Sequence, residues 1–214
     1  MTPDGQLAYW SSTGVAKSFT HPLDVAWLPG LPGTARIVDY GCGYGRVTGL
    51  LREHGFTAVE GVDPSPGLLA RARRTHPGLA FTLLADPPHL PFPDGGVDAV
   101  LVFAVLTCIP ADDDQRRLLA ELTRVLRPRG LLYVSDVLLQ TDARNQDRYR
   151  RGAERYGTHG VFDVGDGAVC RHHSPEHLRG LLTGYELVAE RELTVETMNG
   201  NPVGALQLLA RKGR

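Results

Sequence analysis

The chain is poor in the residues that build a scaffold by cross-linking. Its 214 residues hold three cysteines, Cys42, Cys108 and Cys170, which are far apart and odd in number. No Cys-x-x-Cys pair occurs, so a disulfide framework and a zinc knuckle are excluded and a reducing compartment is expected. Charge of neither sign dominates: 23 Lys and Arg face 24 Asp and Glu, for a formal net charge of −1. Proteins that grip a phosphate backbone show a basic excess, so nucleic acid is not expected as a partner. Long hydrophobic runs are also missing. The longest mainly apolar stretch, residues 100–109, is too short to span a bilayer, so no membrane partner is expected. The start lacks a basic region followed by an apolar run, which argues against a signal peptide. A soluble, cytoplasmic protein is the expectation.

What is present is an alternation. Residues 35–39, 58–63, 79–85, 97–103 and 131–139 read as buried strands. Between them, helices are predicted over 46–54, 66–75 and the stretch around Leu118, Leu119, Leu122, Val125 and Leu126, whose spacing is helical. Ser65-Pro66 and Ser174-Pro175 are helix starts, with Ser as N-cap and Pro at the first helical position. Helices are further predicted over 7–19, weakened by Gly14, and over 23–28. Strands that are apolar on both faces and alternate with helices argue for a doubly wound α/β sheet, mostly parallel. Two last strands, 187–197 and 205–211, flank Met198-Asn199-Gly200-Asn201-Pro202. Asn-Gly is a strong turn signal, so the chain should end in an antiparallel hairpin, giving seven strands in all. The expected organisation is one domain, 1–214, with an N-terminal helical cap over 1–33 and an inserted, polar cap over 140–174.

The sharpest local signal is Asp39-Tyr40-Gly41-Cys42-Gly43-Tyr44-Gly45, directly after the first strand. Glycines there let the backbone turn tightly and let a ligand lie against it. Asp63 ends the next strand, where an acid can accept from both hydroxyls of a ribose. The dinucleotide fingerprint G-x-G-x-x-G is not met, because Arg46 stands where its third glycine belongs.

These residues resemble the class I S-adenosylmethionine-dependent methyltransferases, in particular the small-molecule group related to the menaquinone and ubiquinone methyltransferases. The resemblance covers residues 37–139 and rests on four motifs in order. They are Val38 to Gly45; Gly61-Val62-Asp63-Pro64-Ser65; Asp86 followed by Leu90-Pro91-Phe92-Pro93-Asp94 and Val97-Asp98-Ala99-Val100; and Leu122 to Gly130. It implies S-adenosylmethionine as cofactor and S-adenosylhomocysteine as product. By position it implies that Gly41, Cys42, Gly43 and Gly45 lie under the methionine part, and that Asp39 orients its amino group. Asp63 and Pro64 would serve the ribose, Asp86 and Pro87 the adenine, and Phe103 and Ala104 the neighbourhood of the sulfonium. The family often has Gly where Arg129 stands and His near the position of Cys108, so a base from that place is not available here. Asp86-Pro87-Pro88-His89 also looks like the Asp-Pro-Pro-aromatic motif of DNA amino-methyltransferases. That motif follows the fourth strand, whereas this one precedes it, so base methylation is not favoured.

Fewer residues announce the acceptor. Arg148 and Tyr149 fall in the polar insert, where an Arg can fork onto an acidic acceptor. His172 or His173 is the candidate base, since imidazole titrates near neutrality. His173 and His177 stand at i, i+4 with His159 and Asp166 in the same region, but adjacent histidines point apart and no metal site is expected. Tyr9, His21 and Asn199 are further candidates for acceptor contact, from the N-terminal cap and the terminal turn. The expected activity is methyl transfer to an O, N or C atom of a small molecule, by a monomer or a homodimer. A cofactor-binding protein without methyl transfer, or an NAD-dependent oxidoreductase, would share the fold.

Overall fold

The apolar strand runs dictate the architecture, because each can only be buried if both of its faces are covered. The computed structural model describes residues 3–165 and 167–214; Asp166 lies outside them. In chain order the elements are α1 (Pro3–Ser11), β1 (Arg36–Tyr40), α2 (Arg46–Glu53), β2 (Ala58–Asp63), α3 (Pro66–Thr75), β3 (Ala80–Leu83), β4 (Val97–Phe103), α4 (Asp112–Val125), β5 (Leu126–Val137), α5 (Ala143–Tyr156), β6 (Val161–Asp163), β7 (Val169–Arg171), α6 (Pro175–Leu181), β8 (Tyr185–Glu196) and β9 (Pro202–Lys212). A seven-stranded sheet has the order β3-β2-β1-β4-β5-β9-β8. The first five strands are parallel, and β9 inserts antiparallel between β5 and β8. The expected sheet and its terminal hairpin are therefore both present.

One hydrophobic cluster, with Val38, Val100, Leu118, Leu122 and Leu206, joins the sheet to α4 and α6. A second, with Ile37, Leu51, Leu101 and Tyr133, joins its other face to α2. Ser65 Oγ accepts from Leu68 N at 3.1 Å and Ser174 Oγ from His177 N at 3.1 Å, so both predicted caps form. Asp112, Asp113 and Asp114 fill the first turn of α4, where the helix dipole favours them.

Several local expectations are corrected. The helix expected over 7–19 is α1 followed by a 3-10 turn at Thr13–Ala16. Ser12 Oγ donates to Ala8 O at 2.6 Å, a local bond that competes with helix continuation. The helix expected over 23–28 is only a 3-10 turn, Val25–Trp27, capped by Asp24. The fifth strand begins at Leu126 rather than 131, because the chain leaves α4 straight into the sheet. Arg129 adopts φ 65. The polar insert folds as α5 and the small β6–β7 hairpin. Gly152 makes that possible, since a Cβ there would clash with Val161 O.

Candidate active site

Sheet topology brings the loops after β1, β2, β4 and β5 to one edge, the carboxyl ends of the parallel strands, where doubly wound sheets bind ligands. Gly41, Gly43 and Gly45 adopt φ of 68, 55 and 82. A Cβ on Gly41 would strike Val105 Cγ2 at 2.5 Å, and one on Gly45 would strike Phe81 Cζ at 2.7 Å. Gly43 differs: a Cβ there would meet only Phe19 Cε2, at 3.9 Å. Packing demands the outer glycines, and the middle one leaves an open, cradle-like face.

Asp63 closes this cradle. Its Oδ2 accepts from Gly43 N at 2.9 Å and its Oδ1 from Ser65 N at 2.8 Å. Burial pushes its carboxyl up to about 6, against the two backbone donors. Each oxygen keeps a second lone pair for a hydroxyl. An open glycine face beside a buried acceptor-only carboxylate fits a ribose-bearing cofactor. Asp39 turns inward: its Oδ2 accepts from Thr48 N at 2.9 Å and Thr48 Oγ1 at 2.7 Å, tying β1 to α2. The Cys42 side chain also turns away, into a cluster with Leu69, Ala72 and Phe81.

The N-terminal segment lies over this edge and is held there by many bonds. Ser65 Oγ donates to Trp10 O at 2.9 Å, and Arg71 Nη1 donates to Val15 O and Lys17 O at 2.7 and 2.8 Å. Arg46 Nη2 donates to His21 O at 2.6 Å, and the Phe19 ring stacks 6.1 Å from Tyr44. Gln6 reaches across to the insert, donating to Val169 O at 2.7 Å and accepting from Val169 N at 2.9 Å.

A cavity of about 230 Å³ remains between this cover, the ends of β4 and β5, the insert and the β8–β9 turn. Of the residues expected from the sequence, His21, Ala104, Arg148, His172 and Asn199 all line it. Ala104 takes the left-handed φ 57, rare without glycine, and is held by its N–H on Ser135 O at 2.8 Å. Arg148 lies half-buried with its Cζ 3.7 Å above the Phe162 ring, and donates to Asn145 Oδ1 at 3.0 Å. It makes no ion pair with any described residue. Burial, and then the neighbouring Arg144, hold its pKa below the ordinary value. His21 places Nδ1 2.8 Å from Ser135 Oγ, and burial lowers it to about 4.

Other expected residues are not at the cavity. His173 lies beyond the end of β7, bridged to Leu138, with Nε2 2.9 Å from Gln115 Nε2 and its ring 5.3 Å from His177; its Nδ1 faces Asp136 Oδ1 at 3.5 Å. It cannot reach an acceptor, because adjacent residues in an extended strand point to opposite faces. Tyr149 is fully buried behind His172. The Tyr9 hydroxyl points at Met198 Sδ, 4.0 Å away. Phe103 packs edge-on against Tyr133, in the cluster on the α2 face of the sheet. Asp86 is solvated, with its side chain 87% exposed and paired to His89 at 3.3 Å, and Pro87 is exposed beside it. Trp10, Asn145, Phe162 and Asn201 line the cavity without having been singled out as site residues. They belong to no contiguous motif; only the unusual polarity of the insert pointed toward two of them.

Residues 38–134 match the family model described as Methyltransferase domain. The chain is 43% identical over 105 residues to a trans-aconitate 2-methyltransferase of Methylobacterium nodulans, covering 49% of this chain and 39% of that protein. It is 30% identical over 161 residues to the enzyme of the same name from Escherichia coli O157:H7, covering 66% of this chain and 62% of that one. The match thus spans less than two thirds of these relatives' length. Among solved structures, a SAM-dependent methyltransferase from Methanosarcina mazei aligns with TM-score 0.82 and 25% identity, covering 89% of this chain and 98% of the other.

Proposed function

Since the chain carries a class I S-adenosylmethionine-dependent methyltransferase domain over residues 38–134, we propose that it transfers the methyl group of S-adenosylmethionine to a small, negatively charged acceptor. The observation that carries the acceptor's charge is Arg148, a half-buried cavity-lining guanidinium whose pKa is lowered by its surroundings. An anion beside it relieves an unpaired charge in a confined site. The name of the trans-aconitate relatives, which methylate a carboxylic acid, is in keeping with this reading.

In this reading Gly41, Gly43, Gly45 and Asp63 hold the cofactor, whose sulfonium supplies an already activated methyl group. Pro64 shapes the turn beneath the ribose, and Ala104 borders the point where cofactor and acceptor meet. The protein's own task is alignment and exclusion of water. The N-terminal cap over 1–33 covers the cofactor, and the insert over 140–174 supplies most of the acceptor wall. The domain acts as one unit, 1–214, on its acceptor, as a monomer or a homodimer. Calorimetric titration with S-adenosylmethionine, S-adenosylhomocysteine and NAD tests the first half. Binding of the first two, and not of NAD, is expected. A preference for NAD, or silence with all three, overturns it.

A further inference from the structure

The cavity wall carries N–H groups that no described residue accepts from. Trp10 lines it, and the Trp10 indole Nε1 is buried with no partner among the described residues. His172 lines it as well, and its hydrogen bonds define its tautomer. The Tyr149 hydroxyl lies 3.1 Å from Gln140 N and 2.6 Å from His172 Nδ1. A backbone N–H can only donate, so the phenol oxygen accepts from Gln140. The phenol proton then has one acceptor among the described residues, His172 Nδ1. Burial raises the Tyr149 hydroxyl to about 12, so that proton stays on oxygen. Nδ1 therefore presents a lone pair, and the neutral ring carries its hydrogen on Nε2. An imidazolium would turn two donors on each other across 2.6 Å.

The groups facing this ring are Arg148 and Tyr149 from α5, Asp142 at its cap, Asp136 from β5, and His173 next in the chain. Burial outweighs them and holds His172 at about 3, with Arg148 adding in the same direction. Neither histidine of the cavity wall is thus a good proton acceptor: His172 is neutral with its basic nitrogen in use, and His21 is held at about 4.

We infer that His172 is not a base but a positioning residue, a tautomer-locked Nε2–H donor that works with Trp10 and Arg148 to hold a carboxylate acceptor. This deepens, and rests on, the methyl-transfer reading above. Donors gathered from Trp10, His172 and Arg148 suit a group with only acceptors. It also suits a reaction that needs no base. A lone pair of the carboxylate forms the O–CH3 bond, the CH3–S bond breaks with its pair left on sulfur, and no proton moves. An alcohol or an ammonium acceptor would have to shed one.

The tautomer is tested on the unliganded full-length protein by NMR of 15N-labelled histidines, with His172 assigned by comparison with His172→Gln. An Nε2–H pattern unchanged from pH 5 to pH 8 is expected. An Nδ1–H pattern, or a protonation midpoint inside that range, overturns the inference whatever the activity. The ligand class is tested by titrating the S-adenosylhomocysteine complex with a panel of small carboxylic acids, trans-aconitate included, each against its methyl ester. At least one acid should bind tenfold or more above its ester, and His172→Phe should weaken it by about tenfold, with His172→Gln closer to wild type. No acid exceeding its ester, or no effect of His172→Phe, overturns the carboxylate assignment. Failure of S-adenosylhomocysteine to bind at all would instead count against the methyl-transfer reading, leaving the tautomer result to stand alone.

Discussion

The two halves of the site are made of different material. The cofactor cradle is backbone: three glycines within five residues, with one carboxylate bridging two strand ends. The acceptor cavity is side chains drawn from the N-terminal segment, the loop after β4, β5, α5, β6, β7 and the β8–β9 turn. A site built from backbone admits few sequences, because each residue is fixed by dihedral angle and close approach. A site built from scattered side chains changes wall by wall without touching the fold. Damage should therefore be global at the first half and graded at the second.

The largest effect is expected at Asp63. Replacing it with alanine removes the proposed ribose acceptor and leaves Gly43 N–H and Ser65 N–H without theirs. Unpaired buried donors cost about 1–3 kcal/mol each, so stability should fall together with affinity, and calorimetry should show S-adenosylmethionine binding weakened by about 100-fold or more. Wild-type binding should also weaken as pH falls through about 6, where the buried carboxyl takes up a proton and one oxygen becomes a donor. Unaltered affinity in the alanine variant would place the cofactor elsewhere and dissolve the comparison.

Next comes Arg148→Ala. It should raise the acceptor KM by about 10- to 100-fold, the range for losing a charge-assisted hydrogen bond, with cofactor affinity within about twofold. Arg148→Lys should recover little, because an ammonium cannot both lie flat on Phe162 and fork onto a carboxylate. Equal losses at acceptor and cofactor would mean that the two halves are not separable.

The same division explains what could be read from sequence. The turn at residues 39–45, Asp63, the two Ser-Pro helix starts and the terminal Asn-Gly hairpin are local patterns, and the structure has each element where they put it. The fold class followed from them. The cavity did not, since contact across the fold has no local signature. Whether His172 or His173 faces the acceptor depends on the short extended stretch just after β7, where His173 bridges to Leu138. Trp10 reads as an ordinary core aromatic until its unpaired Nε1 is seen. Asp39 reads as a ligand from its place in a motif, and a motif does not show that its Oδ2 also ties β1 to α2 through Thr48.

Asp39 gives a third, milder test. Its carboxyl is raised from 3.8 to about 6, with burial the main cause. The folded state therefore holds this proton more tightly than the unfolded chain does. The contribution to stability is complete below about pH 4 and is lost as pH rises through about 6. Asparagine keeps an oxygen for the two Thr48 donors and carries no charge. At pH 8 Asp39→Asn should unfold about 2–6 °C above wild type, and the gap should close toward pH 4. A gap that does not change with pH would mean that the buried charge is not its cause.

Arg144 marks the lower limit of the comparison. It borders the same cavity as Arg148 and lies four residues before it, one turn away on α5. Yet it is exposed, and the described structure gives it no hydrogen bond or ion pair. Water already solvates its charge, so an anion gains little by approaching it, and salt screens what remains. Arg144→Ala should raise the acceptor KM by less than about threefold, and that small effect should vanish at high salt. The contrast is the point of the measurement. If Arg144 mattered as much as Arg148, long-range attraction alone would draw the acceptor in, and burial would have no part in selecting it. If only Arg148 matters, selection occurs where the guanidinium is partly stripped of water and clamped between Phe162 and Asn145.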